Sequence, residues 1–164
     1  MTVAHACGEG VDAAQSARPF TAAAAAVKAE QRVADLLGRA EPLLGDRAAA
    51  GGHFWSELER FPKPVIAAVE GPAAGAGFSL ALACDLIVAA RNAVFVMAYS
   101  SVALSPDGGG SWSLARALPR QLVTELLMAG ERLGAQRLHD LGVVNRLCDA
   151  GQALTTALAW AEQL

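Results

Sequence analysis

The clearest ordering of apolar and polar positions lies between residues 63 and 112, where short apolar runs alternate with two glycine-rich turns. Residues 64–69 (PVIAAV) are apolar and partly β-branched, which predicts a strand covered on both faces. Residues 75–84 are apolar on nearly every side of a helix, which predicts a buried helix. Residues 85–90 and 94–98 predict two further strands, either paired as a hairpin or lying in different layers.

Downstream of this stretch the chain is predominantly helical. Pro119 suits a helix start, because the N–H that proline lacks would have no intrahelical partner there. Gly142 suits the C-terminal cap of one helix, and Asp149 suits the N-terminal cap of the last. The pattern therefore predicts helices over residues 111–118, 119–129, 135–141 and 151–164, with a strand over residues 143–147.

The first third of the chain has a different character. Residues 1–19 lack any period and are predicted to be loop, whereas residues 20–44 are rich in alanine and predict a helix. A turn-rich link follows, and residues 54–61 predict two helical turns. We therefore divide the chain into an atypical N-terminal segment, residues 1–52, and a core of α/β class, residues 53–164.

Composition limits the classes of function. A chain of 164 residues with 54% hydrophobic and 18% charged residues suits one globular domain with a substantial core. The net charge of −3 and the lack of a basic run argue against a nucleic-acid partner. No membrane partner is expected, since the central uncharged run is too short to span a bilayer and no secretory signal is visible. Three cysteines without CxxC spacing argue against a metal site or disulfide framework and favour a cytoplasmic setting.

The first glycine turn, GPAAGAG at residues 71–77, leads directly into the apolar helix. No Gly-Lys-Ser/Thr follows it, which excludes a Walker-type phosphate loop, and its spacing does not fit a dinucleotide fingerprint. Two interpretations remain open. The glycines allow tight packing of helix against strand, or they let peptide N–H groups at the helix start hold a developing negative charge, as in an oxyanion hole.

The second glycine turn, SPDGGGSW at residues 105–112, holds Asp107 between a proline and three glycines. Asp107 caps the helix that follows or makes an Asx turn, or it acts as a general acid/base in an apolar pocket. Glu70 and Tyr99 lie at predicted strand ends, where each suits a structural or a functional role. A structural hydrogen-bonding role is favoured for Asp85, which directly follows the buried helix.

Three separated blocks of the sequence together resemble the enoyl-CoA hydratase/isomerase (crotonase) superfamily. They are KPVIAAVEGPAAGAGFSLALACDLIVAA, AVFVMAYSSVALSPDGGGSWSLARALP and ELLMAGERLGAQRLHDLGVVNRL, in the order and spacing of the family. The resemblance covers residues 54–164 and implies a spiral of ββα units, assembled as trimers or dimers of trimers, that binds acyl-CoA thioesters in fatty acid metabolism. It implies no cofactor beyond the coenzyme A carried by the substrate.

The resemblance also implies roles for individual residues. Two backbone N–H groups hold the thioester oxygen in the family, and the second of these donors falls here on Ala76. Asp107 falls where several double-bond isomerases of the superfamily carry an aspartate, which implies that it removes and returns a proton. The residues implied to line the substrate site are Ala73, Gly75, Gly77, Tyr99, Pro106 and Gly110.

Two departures from the family pattern shape the expected function. Hydratases of the family activate water with two glutamates, and Ser79 and Tyr99 occupy the matching positions, so an isomerase is expected rather than a hydratase. The segment resembling FSAGADL that carries the first oxyanion donor is not found in residues 1–50, and the family's last helices are missing after Leu164. We expect an acyl-CoA isomerase shortened at both ends. The alternatives are a non-catalytic relic or interaction subunit and a true hydratase. The hydratase would need a water-activating carboxylate from elsewhere, for which Glu70 and Glu57 are the candidates.

Overall fold

The structure is a computed structural model, and it describes residues 2–6, 24–28, 55, 58 and 61–164. In this part of the chain, the larger of two sheets has five strands, namely β1 (Thr2–Ala6), β2 (Ala24–Lys28), β3 (Val65–Val69), β5 (Leu86–Ala90) and β8 (Arg146–Cys148). Their order across the sheet is β2-β1-β3-β5-β8. β1 is antiparallel to both of its neighbours, whereas β3, β5 and β8 run parallel to one another.

A smaller sheet and a set of helices complete the described core. The sheet has the order β4-β6-β7 and is built from β4 (Pro72–Ala74), β6 (Val94–Val96) and β7 (Arg132–Gly134). The helices are α1 (Ala76–Ala83), α2 (Gly110–Ala117), α3 (Arg120–Ala129), α4 (Ala135–Asp140) and α5 (Ala153–Ala161). A 3-10 turn, Ser100–Val102, lies between β6 and α2. None of the described helices is long and apolar enough to cross a membrane.

Strand β3 is buried on both faces, as its sequence predicts. Val65, Ala67 and Val69 belong to one apolar cluster, which also contains side chains of α1 and of the smaller sheet. Ile66 and Ala68 belong to a second apolar cluster, which α5 closes. Because both faces are covered, β3 is held firmly at its C-terminal end, where the chain enters the first glycine turn.

Helix α1 is the buried helix that the sequence predicts, and residues Phe78, Ser79, Leu80 and Ala81 are its buried positions. The ring of Phe78 packs against the ring of Phe95 on β6, with 5.1 Å between centroids and a tilt of 58°. Such tilted aromatic pairs are favourable beyond the apolar area they bury. This contact joins α1 to the smaller sheet and holds the first glycine turn next to β6.

Most of the elements predicted for the core are confirmed. Helices α1 to α5 each begin within two residues of their predicted starts. Trp55 and Leu58 are helical, in agreement with the two turns predicted around them. β5 and β6 lie in different sheets and do not form a hairpin. The predicted strand over residues 143–147 lies slightly later, as β8. β4 and β7 have three residues each, too few to show a hydrophobic period in the sequence.

The prediction for the N-terminal segment is wrong where the structure describes it. Thr2–Ala6, predicted to be loop, forms β1, and Ala24–Lys28, predicted to be helical, forms β2. β1 pairs with β2 on one side and with β3 on the other, so its ladder extends the buried sheet. The helix propensity of alanine amounts to less than ~1 kcal/mol per residue, and sheet pairing overrides it. The rest of residues 20–44 lies outside the described residues.

The carboxylate of Glu70 caps the N-terminus of α5. One of its oxygens accepts a hydrogen bond from the Gly151 N–H at 2.8 Å, and the other accepts from the Ala153 N–H. The predicted cap, Asp149, instead contributes its backbone carbonyl, which accepts from the Gln152 N–H at 3.1 Å. A negative charge at a helix N-terminus is favourable because it meets unpaired N–H groups and the positive end of the helix dipole.

Replacing Glu70 by alanine is therefore expected to lower the free energy of unfolding by about 1–2 kcal/mol, the usual cost of losing a helix cap. Glu162→Gln is the matched control, because Glu162 lies at the other end of α5, where a negative charge opposes the dipole. Urea denaturation would measure both. Equal midpoints for Glu70→Ala and Glu162→Gln would show that the Glu70 carboxylate does not stabilise α5.

Candidate functional site

The first glycine turn places two free backbone donors at the start of α1. The Gly75 carbonyl accepts hydrogen bonds from the Phe78 and Ser79 N–H groups, each at 3.0 Å. The N–H groups of Ala76 and Gly77 come before these first intrahelical bonds, so the helix itself does not use them. Ala76 is exposed, and a side chain at Gly77 would meet nothing within 4 Å. The positive end of α1 therefore opens towards solvent.

Glycine at position 75 is needed for both its conformation and its surroundings. Its φ of 51° lies in the left-handed region, where a side chain is strained. Its N–H donates to the Val96 carbonyl at 2.9 Å, which ties the turn to β6. A Cβ atom at this position would lie 3.6 Å from Cζ of Tyr99. The turn that begins α1 therefore lies directly against the tyrosine ring.

Asp107 is held at two points by side chains from other elements. The Tyr99 hydroxyl donates a short hydrogen bond to Oδ1 of the Asp107 carboxylate. The Ser79 hydroxyl donates to the Asp107 backbone carbonyl at 3.0 Å. Oγ of Ser79 and the Tyr99 oxygen are 3.4 Å apart. Ser79 is 0% exposed and Tyr99 is 7% exposed, so both hydroxyls are buried and lie beneath Asp107.

The second glycine turn brings the backbone close to the Ser79 and Tyr99 hydroxyls. Gly108 and Gly109 both have positive φ, at 57° and 71°. A Cβ atom at Gly108 would overlap the Trp55 indole ring, and one at Gly110 would overlap Oγ of Ser79. Glycine is therefore required at positions 108 and 110 because neighbouring side chains occupy the space that a Cβ would need.

The helix-capping interpretation of Asp107 is wrong. The N-cap of α2 is Gly109, which receives no side-chain cap bond, and the Asp107 side chain turns to Tyr99 instead. Asp107 is also exposed, whereas an apolar pocket was the expected setting for an acid/base. Its exposure follows from the three glycines after it, which supply no side chains to enclose the carboxylate.

Burial controls the protonation of two nearby groups. Burial raises the pKa of the Tyr99 phenol, and the hydrogen bond to the Asp107 carboxylate raises it further, so Tyr99 remains a neutral donor near pH 7. Burial together with the charge of Asp85 raises the pKa of the Cys84 thiol to about 12. Cys84 is therefore a neutral thiol in the core and does not act as a nucleophile.

The structure brings four of the predicted site residues into one cluster, which contains Gly75, Tyr99, Asp107 and Gly110. Gly77 and Ala76 lie at the adjoining helix start. Pro106 is half-buried just before Asp107. The predicted residue set apart from the others is Ala73, which is 1% exposed and packs in the core on β4.

Sequence reasoning missed the contribution of Ser79 as a donor to Asp107. The signal was present, since Ser79 is the one polar side chain in the apolar run of α1. Two other polar side chains, those of Asp85 and His139, have structural roles. Asp85 accepts a hydrogen bond from the Val65 N–H at 2.8 Å, which confirms its predicted role. A ring nitrogen of His139 lies 2.8 Å from the Val144 carbonyl, so this histidine is also engaged within the fold.

Comparison with known proteins identifies the class of protein that this fold and site define. The family model for enoyl-CoA hydratase/isomerase matches residues 44–164. The chain therefore belongs to the enoyl-CoA hydratase/isomerase family. The match starts about ten residues before the region of resemblance recognised in the sequence and extends through the last residue.

The relatives of this chain are named for different activities. The chain is 44% identical over 107 residues to 1,2-epoxyphenylacetyl-CoA isomerase of Escherichia coli K12, covering 65% of this chain and 41% of that protein. It is 40% identical over 132 residues to carnitinyl-CoA dehydratase of the same strain, covering 79% of this chain and 51% of that protein. The chain thus spans about half the length of the curated relatives it matches.

A solved structure supports the same assignment. The crystal structure of an enoyl-CoA hydratase from Polaromonas sp. JS666 superposes with a TM-score of 0.70 and 60% sequence identity. The match covers 81% of this chain and 52% of that chain. The strands and helices around the two glycine turns therefore have the crotonase fold.

Proposed function

We propose that this protein acts on acyl-CoA thioesters and moves a carbon–carbon double bond through an enolate intermediate. The observation that carries the proposal is the cluster in which one carboxylate, Asp107, is linked through Tyr99 to the turn that begins α1. A carboxylate and a free helix-start N–H in one cluster are the two groups that enolate chemistry requires.

The proposed reaction uses these two groups in turn. The thioester oxygen accepts a hydrogen bond from the Ala76 N–H, and Asp107 takes the proton from the carbon next to the thioester carbonyl. The electron pair of that C–H bond forms a double bond to the carbonyl carbon, and the carbonyl π pair moves to the thioester oxygen, where the N–H stabilises the charge by about 3–4 kcal/mol in comparable sites. Asp107 then returns the proton to the far end of the former double bond. One carboxylate therefore completes an isomerisation.

The arrangement of carboxylates favours isomerisation over addition of water. Ser79 and Tyr99 are the buried polar residues at the base of the cluster, and both hydroxyls donate to Asp107. Glu70, one of the two carboxylates on which a hydratase mechanism would draw, caps α5 through both of its oxygens, and the other, Glu57, lies outside the described residues. The relative named as an isomerase and the relative named as a dehydratase are similarly close, so the choice between the two reactions depends on this geometry.

The proposal is tested by incubating the protein with 3-hexenoyl-CoA in heavy water. We expect conversion to the 2-enoyl isomer, with deuterium appearing at the carbons that exchange protons with Asp107. Mass spectrometry of the thioester would measure the deuterium content. Crotonyl-CoA, monitored in the ultraviolet for loss of the enoyl chromophore, serves as the hydratase assay. Faster hydration of crotonyl-CoA than isomerisation of 3-hexenoyl-CoA would overturn the proposal. Absence of turnover together with no calorimetric binding of either thioester would indicate the non-catalytic alternative.

A further inference from the structure

We infer that Tyr99 is a positioning residue, which holds the Asp107 carboxylate by Oδ1 and leaves Oδ2 as the oxygen that exchanges the proton with substrate. Ser79 holds the backbone of the same residue from below. This inference rests on the proposed function, because it assigns a role to the Tyr99 contact of the carboxylate that moves the proton. It also explains why the base of the cluster carries two hydroxyls and no second carboxylate.

A count of hydroxyl protons fixes the direction of the hydrogen bonds among Ser79, Tyr99 and Asp107. The Ser79 hydroxyl has one proton, which it gives to the Asp107 carbonyl at 3.0 Å. The Tyr99 hydroxyl has one proton, which it gives to Oδ1 of Asp107. No proton remains for the Ser79–Tyr99 contact, and its length of 3.4 Å is correspondingly long for a hydroxyl pair. Both protons therefore point at Asp107.

The two contacts orient Asp107 without shielding it. Gly108 and Gly109 place no side chain over the carboxylate, and Asp107 itself is exposed. The tyrosine cannot rotate freely, because its ring is 7% exposed and lies against Gly75. A rigid donor beneath an exposed carboxylate holds one oxygen in place and presents the other to a bound thioester.

The proton balance is complete without a further group. The substrate C–H bond breaks and an O–H bond forms at Oδ2, while the C–H electron pair becomes a C=C bond and the carbonyl π pair moves to the thioester oxygen. In the return step the O–H bond at Oδ2 breaks, the oxygen lone pair re-forms the carbonyl, the double bond shifts towards the carbonyl, and a new C–H bond forms at the far carbon. Tyr99 keeps its own proton throughout, which agrees with the direction in which burial moves its pKa.

The charge around Tyr99 makes the role testable by pH. Among the described residues, the charged group that faces the phenol is Asp107. The groups that face it from the other packed elements are neutral, namely the Ser79 hydroxyl of α1 and the Gly75 backbone. A carboxylate beside a phenol disfavours the phenolate, so removing the negative charge of Asp107 must let Tyr99 ionise at lower pH.

The first test is Tyr99→Phe, which removes only the hydroxyl. With 3-hexenoyl-CoA we expect kcat to fall roughly 10- to 100-fold, because a misplaced catalytic group costs about this much, with KM nearly unchanged. Ser79→Ala should lower kcat less than Tyr99→Phe, since Ser79 contacts the backbone carbonyl of Asp107 and not the carboxylate. Thr124→Ala is the control, because the Thr124 hydroxyl is exposed and donates to the Arg120 carbonyl.

The second test needs no turnover. Tyr99 is the only tyrosine of the chain, so phenolate absorbance reports on this residue alone. In Asp107→Asn the phenolate should form at lower pH than in the wild type, because the negative neighbour is gone while burial remains.

The outcomes separate this inference from the proposed function. If Asp107→Asn is inactive but Tyr99→Phe keeps the wild-type kcat, the positioning role is overturned and the proposed function stands. If Asp107→Asn keeps full turnover, the proposed function is overturned, and this inference with it. An unchanged phenolate titration in Asp107→Asn would remove the Tyr99–Asp107 contact on which the inference depends.

Discussion

Asp107→Asn is expected to lower kcat for 3-hexenoyl-CoA isomerisation by roughly 10²–10⁴-fold, the range that a positioned acid/base contributes. The asparagine side chain has the same shape but cannot accept the proton. Tyr99 can still donate to its oxygen, and Ser79 still contacts the backbone carbonyl, which the substitution leaves in place. The loss should therefore appear in kcat and not in the folded structure.

Asp140→Asn is the matched control for this substitution. Asp140 is exposed at the end of α4, where its carboxylate accepts a hydrogen bond from Gln136 at 2.8 Å. Turnover of Asp140→Asn should equal that of the wild type, and circular dichroism should show the same thermal transition for both variants. Wild-type turnover in Asp107→Asn would mean that another group moves the proton.

Gly110→Ala is expected to destabilise the protein by about 1–3 kcal/mol, the usual cost of overfilling a packed core. The new Cβ atom would overlap Oγ of Ser79 and lie 2.9 Å from Cε of Met97. The Met97 side chain is flexible and can yield, but Ser79 is fully buried and has no room to move. Alanine would favour helix α2 by only ~1 kcal/mol over glycine, so the overlap decides the sign.

The same substitution should also lower turnover, because displacing Ser79 removes its hydrogen bond to the Asp107 carbonyl. Gly109→Ala separates this steric effect from backbone strain. Gly109 has a φ of 71°, but a side chain there would meet nothing within 4 Å. We expect it to cost about 1–2 kcal/mol through the left-handed conformation alone. Urea midpoints in which Gly110→Ala matches the wild type would contradict the close approach at Ser79.

The predicted elements of the core follow from properties that are local in the chain. Residues 64–69 are apolar at every position, and this run becomes β3, buried on both faces. The apolar run that follows Gly75 becomes α1, and the positive φ of Gly75 shows why glycine stands there. Glycine turns and apolar runs constrain the backbone directly, so a linear pattern is enough to locate them.

The prediction failed where a distant partner overrides a local preference. The alanines of β2 have a high helix propensity, yet β2 is held in the sheet by its pairing with β1. Asp149 is well placed in sequence to cap α5, yet Glu70, at the end of β3, supplies the carboxylate. Helix propensity and near-neighbour capping are each worth about 1 kcal/mol, and a tertiary contact can replace either.

The linear pattern is enough to identify the family, the buried strand and helix, and the two glycine turns that carry Ala76 and Asp107. The bond of the Asp107 side chain to Tyr99 in place of its own helix, and the position of Ser79 beneath both, emerge only from the packed fold. A hydrogen bond between side chains depends on where separate elements pack. That packing arises from the apolar contacts of α1 with β6, which no single segment of the chain specifies alone.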